Sequence, residues 1–355
     1  TDQGTTPTTN DAMSAIAPPL SPPGESQSAG SRRGSAGCGG RGRGGGFRVA
    51  RKGRSGVRRA GRSLAAIAVV LVGLGGPSQL LRAAEGDYAW NGAVGWIQFG
   101  FSAAAGETPQ SVLGRAYLSG YAWNGRAGWI DLGDGSPTNG YAYGNVDGSD
   151  FGVNHDGVGN LSGLAWSENA GWLNFGWASS DHEDRPRVDL ATGAFSGFAW
   201  SEGMGWIHLG ALPLATTRLE ITDVDADGID DPFEWRNFGD LTTAGVGTDY
   251  DADGSPDLAE SVADTDPKDP LSYLRILSAD YNADLSEAVL EFTSHPSVLY
   301  RIQTSTTLAG ESSWTTVTPP GSFLPDPGDR TTRTLTVPPQ PKRFFRIRAQ
   351  VPLQQ

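Results

Sequence analysis

A tryptophan-rich block occurs four times in the chain and constrains its fold more than any other feature. The copies read YAWNGAVGWIQFG (88–100), YAWNGRAGWIDLG (121–133), LAWSENAGWLNFG (164–176) and FAWSEGMGWIHLG (198–210). In every copy the second Trp follows the first after six residues. Constant spacing inside a repeated block indicates that one supersecondary unit has been multiplied along the chain.

Each block predicts a β-hairpin, because Asn-Gly or Ser-Glu with Gly, which are turn residues, separate two short aromatic strands. In the second strand, apolar and polar residues alternate, and the apolar ones are expected to form the core. These apolar residues are Ile97, Phe99, Ile130, Leu132, Leu173, Phe175, Ile207 and Leu209. A further strand is predicted before copies two to four, and copy one is predicted to be an edge or cap.

The second Trp of each block should lie on the opposite face, beside a polar side chain. The positions concerned are Trp96, Trp129, Trp172 and Trp206, with Gln98, Asp131, Asn174 and His208 as polar neighbours. One interpretation is that these indoles pack on the next repeat, since a hairpin must bury a face against its neighbour. The other is ligand contact, in which a flat ring stacks on a sugar and the polar group binds its hydroxyls.

Acidic residues crowd the segment after the repeats. Residues 222–270 hold thirteen Asp and two Glu against one Arg and one Lys. The pattern D-x-D-x-D-G-x5-E, which fits a twelve-residue calcium loop, begins at Asp223 and again at Asp249. Acids at loop positions one, three and five converge on one ion, the glycine at position six permits the bend, and the last Glu closes the site.

The pattern therefore predicts two Ca²⁺ sites, including backbone oxygens at position seven. The predicted ligands are Asp223, Asp225, Asp227, Ile229, Asp231 and Glu234 in the first loop, and Asp249, Asp251, Asp253, Ser255, Asp257 and Glu260 in the second. Short helices are expected to follow the loops, near 232–238 and 256–262. The alternative is an acidic solvated linker, which does not explain the paired glycines.

The two loops resemble thrombospondin type 3 repeats and, more loosely, dockerin loops. The resemblance implies the same acidic ligands, and it places Asp264, Asp266 or Asp269 where one of them reaches back to a loop. The tryptophan blocks are similar to hairpin repeats of secreted bacterial surface proteins and are remotely like choline-binding repeats. No choline ligands are inferred, because the period of those repeats is nearer twenty residues.

The remaining segments predict a secreted, modular protein that is mainly β. Residues 49–84 are interpreted as a helical signal peptide, with an uncleaved anchor as the alternative, because an apolar stretch follows eleven Lys/Arg in residues 32–62. Residues 1–48 are predicted to be a disordered or spurious upstream region. The repeat domain is placed at 85–212, the calcium segment at 213–272, and a small β-sandwich at 273–355.

Composition excludes several functional classes. The formal net charge of −13 argues against nucleic acid as a partner, and a single Cys precludes an intramolecular disulfide. The four His form no recognised motif, and Glu168 and Glu202 occupy a repeated turn position rather than an acid–base pair. We therefore expect no enzyme and no membrane span in the mature chain.

The expected function is that of an extracellular or cell-surface calcium-binding structural or adhesive protein. Its expected partners are calcium and a surface or matrix polysaccharide or protein. The alternatives are a carbohydrate-binding protein that uses the second Trp of each repeat and, less favoured, a secreted polysaccharide hydrolase.

Overall fold

The computed structural model describes residues 87–101, 103, 107–212 and 214–354. The predicted upstream region (1–48) and the predicted signal peptide (49–84) lie outside the described residues. Of the described residues, 36% lie in strands and 6% in helices, which confirms a mainly β protein. Within the described residues, neither helix has the length and apolar character needed to cross a membrane.

The strands, numbered in chain order, are β1 (Tyr88–Asn91), β2 (Gly95–Gln98), β3 (Gln110–Leu113), β4 (Leu118–Asn124), β5 (Gly128–Asp131), β6 (Val153–His155), β7 (Leu161–Ser167), β8 (Gly171–Asn174), β9 (Arg187–Val188), β10 (Phe195–Ser196), β11 (Phe198–Ser201), β12 (Gly205–His208), β13 (Ile276–Asn282), β14 (Glu287–Thr293), β15 (Leu299–Ser305), β16 (Thr315–Thr316), β17 (Ser322–Phe323), β18 (Arg330–Thr336) and β19 (Phe344–Gln350). The helices are α1 (Asp231–Asn237) and α2 (Asp257–Ala263).

The four tryptophan blocks form a closed, eight-stranded antiparallel barrel. Each block supplies one hairpin, and the strand order is β2-β1-β12-β11-β8-β7-β5-β4, with β4 pairing back to β2. Copy one is therefore not an edge or cap, as the sequence suggested, because β1 pairs with β12 of copy four. Closure is physically favourable because it leaves no row of unpaired backbone groups at a sheet edge.

The barrel interior is filled by small residues facing large ones. The first strand of each block turns an alanine inwards, and Ala89, Ala122, Ala165 and Ala199 are all fully buried. Each alanine lies opposite the first apolar residue of the second strand, as in the pair Ala89 and Ile97. The apolar residues predicted for the core are all buried, which confirms the assignment of faces.

Buried polar side chains join each hairpin to its neighbour at the residue after the first Trp. Asn91 Nδ2 donates to the carbonyl oxygens of Met204 (3.0 Å) and Trp206 (2.8 Å) in copy four. Its Oδ1 accepts from Ala93 N and Val94 N in its own turn. Asn124, Ser167 and Ser201 likewise reach the preceding copy. These contacts run around the whole ring.

The flanking strands differ from copy to copy. The predicted lead strands of copies two and three exist as β3 and β6, which pair with β4 and β7. Before copy four the segment instead forms two very short strands, β9 and β10, that pair with each other.

The acidic segment contains the two helices, and the C-terminal region contains two sheets. α1 and α2 match the predicted short helices to within one residue at each end. One C-terminal sheet has the order β13-β14-β18, and the other places β16, β17 and β19 along β15. The sheets share a core in which the rings of Phe292 and Tyr300 lie 5.3 Å apart.

Replacement of Asn91 by alanine tests the closure of the barrel. Because Asn91 makes four buried hydrogen bonds, we expect N91A to lower the free energy of unfolding by about 2–4 kcal/mol. Ser201 donates one such bond, 3.3 Å to Ala170 O, so S201A is the matched control and should lose about 1 kcal/mol. Urea unfolding measures both, and equal effects would contradict a closing role for Asn91.

Candidate metal centre and exposed indoles

The two acidic loops share one backbone conformation. Ala226 and Ala252, at loop position four, both have φ of 61°, and Gly228 and Gly254 have φ of 94° and 95°. A positive φ is unfavourable for alanine and easy for glycine, so both loops hold the same uncommon curl. This curl turns the acidic side chains towards the inside of each loop.

Carboxylates converge within both loops. In the first, ligand oxygens of Asp223, Asp225 and Asp231, and of Asp225, Asp227 and Glu234, lie within 4.8 Å of one another. In the second, those of Asp249, Asp251 and Asp253 do the same. These acidic clusters could hold a metal ion.

Some of the predicted ligands lie on the helices that follow the loops, and two lie just before these helices. Asp231 and Asp257 begin α1 and α2, and each accepts a hydrogen bond from the backbone of loop position two, Val224 N and Tyr250 N. Glu260 is on α2 and is buried. The side chain of Ile229 packs with Phe233 in a small apolar core that anchors the first loop. Ser255, at the same position of the second loop, donates its N–H to Asp253.

Many of these carboxylate oxygens are buried without a hydrogen-bond partner among the described residues. They are Asp227 Oδ2, both oxygens of Glu234, Asp249 Oδ1, Asp251 Oδ2, Asp253 Oδ2, Asp257 Oδ2 and Glu260 Oε2. A buried, unpaired carboxylate is strongly unfavourable, because it loses water and gains nothing in return.

The pKa values express the same conflict. Burial, reinforced by the charges of Asp227 and Asp225, raises the pKa of Glu234 to about 8. Burial likewise raises the pKa of Glu260 to about 8, against the effect of a hydrogen bond from Thr265. Repulsion of this kind is relieved by a cation placed among the oxygens.

The basic residues of the segment are engaged elsewhere. Arg236 pairs with Asp264 at 2.7 Å, and Lys268 Nζ donates to Asn237 O. A small multivalent cation therefore fits the orphaned oxygens of both loops. The donor set is made of carboxylate oxygens, which are the ligands that hard divalent ions prefer.

The resemblance implied that Asp264 is one of the residues that could reach back to a loop. In the structure Asp264 does not do so. Its buried carboxylate instead contacts Arg236, Arg115 of the barrel region, and His295 and Ser297 of the C-terminal region. Burial alone would raise the pKa of Asp264, but the hydrogen bond from His295 and the two guanidinium charges outweigh it and hold this pKa well below its usual range. The contacts of Asp264 therefore join three parts of the fold.

A second candidate site lies on the outside of the barrel, where each block pairs its two indoles across the hairpin. The ring centroids of the four pairs are 4.5–4.9 Å apart, and the rings are tilted by 57–62°. The pairs are Trp90 with Trp96, Trp123 with Trp129, Trp166 with Trp172, and Trp200 with Trp206.

The second indoles differ in exposure. Trp96 is 44% exposed and Trp129 is 47% exposed, whereas Trp172 is only 6% exposed. The ring of Phe151 covers Trp172, with the two ring centroids 5.1 Å apart. The ring centroid of Trp177 lies 4.8 Å from that of the half-buried Trp206. Two of the four predicted ligand-contact residues are thus accessible, and two are covered by aromatic rings from elsewhere in the chain.

Pairing between neighbouring hairpins places a polar side chain beside each first Trp. The facing pairs are Gln98 with Trp123, Asp131 with Trp166, Asn174 with Trp200, and His208 with Trp90. The sequence analysis assigned no ligand role to the first Trp of each block. Strand alternation could have shown that the first Trp of each block faces outwards, because the residues on either side of it both face the barrel interior.

Copies two and three enclose an open groove of about 990 Å³ on this surface. Its lining includes Tyr121, Trp123, Trp129, Asp131, Trp166 and Glu168.

Comparison with protein-family models, curated proteins and solved structures finds no match for this chain.

Neutralising Glu234 should have opposite effects with and without metal. Without divalent ions, folding must either bury the charge of Glu234 or protonate this carboxyl, whose folded pKa is about 8, and E234Q removes that cost. We therefore expect the free energy of unfolding to rise by about 1–3 kcal/mol. With saturating Ca²⁺ it should fall below the wild-type value, because a ligand is lost. Glu220, which pairs with Arg218 on the surface, provides the control variant E220Q, expected to change little in either condition. Chemical unfolding in EDTA and in Ca²⁺ measures this, and destabilisation by E234Q in both conditions would contradict it.

The same carboxylates predict how the stability of the metal-free protein depends on pH. Since folding raises the pKa of Glu234 and Glu260, their protonated forms favour the fold. Stability from this source is fully present below the ordinary Glu pKa, near about 4.3, and is lost as the pH rises towards about 8. Thermal unfolding in EDTA should therefore show a falling midpoint over this range, and Ca²⁺ should remove the dependence around neutral pH. A midpoint that rises over this range in EDTA would contradict the assignment.

Proposed function

We propose that this chain is a calcium-binding structural or adhesive protein that acts outside the cell. The observation that carries the proposal is the set of buried carboxylate oxygens without partners in two loops of identical curl. Oxygen-only donors favour Ca²⁺ over Zn²⁺, which prefers nitrogen and sulfur, and the large number of carboxylates in each loop favours Ca²⁺ over Mg²⁺, which demands a tight octahedron. The resemblance to thrombospondin type 3 repeats supports the same ion.

A structural role is supported by the position of the acidic segment. It lies in the chain between the barrel and the C-terminal sheets, and Arg115 Nη1 donates to Ser261 O on α2 at 2.8 Å. Ca²⁺ bound by the loops would fix α1 and α2, because each loop shares an acidic ligand with the first turn of the helix that follows. Export is supported by the acidic composition and by loops of a kind that bind at extracellular calcium concentrations.

Calcium titration tests this proposal. We expect isothermal calorimetry to detect binding with a Kd of roughly 10⁻⁴–10⁻³ M or tighter, the range of extracellular modules. Chelation should lower the melting temperature and expose the 222–270 segment to proteases. The double variant D223N/D249N should lose most of the binding heat, whereas D280N, on an exposed face of β13, should keep it. Absence of heat at millimolar Ca²⁺ would end the proposal.

Carbohydrate binding is the second candidate, and the exposure of Trp96 and Trp129 favours it. Exposed indoles are unfavourable in water unless a partner covers them, and the flat faces of pyranose rings suit that purpose. The acidic composition favours neutral polysaccharides over polyanionic ones, which the net negative charge would repel.

Affinity electrophoresis of the Ca²⁺-loaded protein tests the second candidate. We expect retardation in gels that contain a neutral polysaccharide such as a β-glucan, a mannan or a xylan, and none with polygalacturonate. Migration unchanged in every gel would exclude carbohydrate binding and would leave the calcium proposal untouched.

A further inference from the structure

We propose that the groove between copies two and three is the principal saccharide-binding site, and that it takes a neutral chain of pyranose units. This inference rests on carbohydrate binding, the second proposed function, and it names the site. The groove lies on the outward face of β3, β4, β5 and β7, which pair in that order, so its lining comes from four adjacent strands.

The centre of the groove is a carboxylate set between aromatic rings. Asp131 faces Tyr121 across the β4–β5 pair and Trp166 across the β5–β7 pair. Its Oδ1 accepts a hydrogen bond from Gly133 N at 2.9 Å, which fixes its orientation. Burial raises the pKa of Asp131, which shows that it is partly withdrawn from water. An oriented, partly desolvated acceptor beside ring faces is suited to sugar hydroxyls.

The other side of the groove is an aromatic platform. The rings of Trp123 and Trp129 lie 4.7 Å apart, and Tyr121 meets Trp129 edge-on at 6.2 Å. Rings this close leave no room for a ligand between them, so a ligand must lie over their outer faces. Tyr121, Trp123 and Trp129 are all exposed, and their exposed fractions are 48%, 37% and 47%.

In copies three and four, the second Trp of the block is covered by another aromatic ring of the chain. There the chain covers its own indoles, with Phe151 against Trp172 and Trp177 against Trp206. Trp177 is held in place by a hydrogen bond from its Nε1 to Phe198 O. In copy two, among the described residues, no such ring covers Trp129. The groove therefore keeps an apolar face that the two other copies bury.

Charge and shape select the class of ligand. Asp131 and Glu168 are both acidic, so uronate-rich or sulfated chains are repelled. The groove volume of about 990 Å³ is large enough for several sugar units.

Copy one provides a matched control. Trp96 and Trp129 occupy the same repeat position, have almost the same exposure and contact the same partner, the first Trp of their own block. Only Trp129 lines the groove. W129A therefore removes an indole from the groove, and W96A removes an equivalent indole from a surface outside the groove.

The experiment measures binding of neutral hexasaccharides to the Ca²⁺-loaded protein by calorimetry, with gluco-, manno- and xylo-hexaoses as probes. We expect at least one to bind, W129A to weaken it by about tenfold or more, and W96A to leave it within about twofold. D131N, which keeps the size of the side chain, should also weaken binding. Circular dichroism melting confirms that each variant is folded.

Three results would overturn the inference. If W96A and W129A weaken binding equally, the protein binds carbohydrate but not in this groove. If no hexaose binds and the polysaccharide gels show no retardation, carbohydrate binding itself fails, and calcium titration of the same sample shows whether the first proposal stands. If aromatic peptides from a displayed library bind in a W129A-sensitive manner while all hexaoses fail, the occupant is a peptide and not a saccharide.

Discussion

Closure of the eight-stranded sheet is the constraint on which the rest of the molecule depends. β1 and β12 form a short antiparallel pair in which Trp90 faces His208 and Asn91 faces Ile207. The buried amide of Asn91 secures this seam by bonding to the backbone of copy four. In the closed ring, the alanine before the first Trp of each block points into the interior, and the indole pair of each block lies on the outer face. Strand alternation decides which side each residue faces, and closure of the ring encloses all the inward-facing side chains in one core.

The acidic loops represent the opposite situation, in which the chain alone does not satisfy its own groups. Backbone curl, turn hydrogen bonds and the helix starts hold the carboxylates together, although their charges repel. Burial, and then the neighbouring negative charges, raise the pKa of both Glu234 and Glu260. A cation placed among these oxygens would relieve that cost, so the calcium proposal rests on energetics as well as on sequence pattern.

Local features could be read from the sequence, and distant pairings could not. The hairpins, the core face and the helices after the loops depend on residues close in the chain, so alternation and turn chemistry predicted them. The β1–β12 seam joins the two ends of the repeat and has no local signal. The covering of Trp172 by Phe151 and of Trp206 by Trp177 comes from irregular segments, which have no periodicity to interpret. The convergence of the loop carboxylates was predictable because the calcium-loop pattern has fixed spacing, whereas the groove needs only a shared sheet face.

The junction at Asp264 has a consequence for how this sequence can diverge. Arg115 and Arg236 both approach Oδ1, while His295 and Ser297 approach Oδ2. Loss of one partner leaves the carboxylate with the others, so each of the four can drift in related proteins. Loss of the carboxylate leaves the largely buried guanidinium of Arg115 without its counter-ion, so the acid is the member that selection should hold fixed.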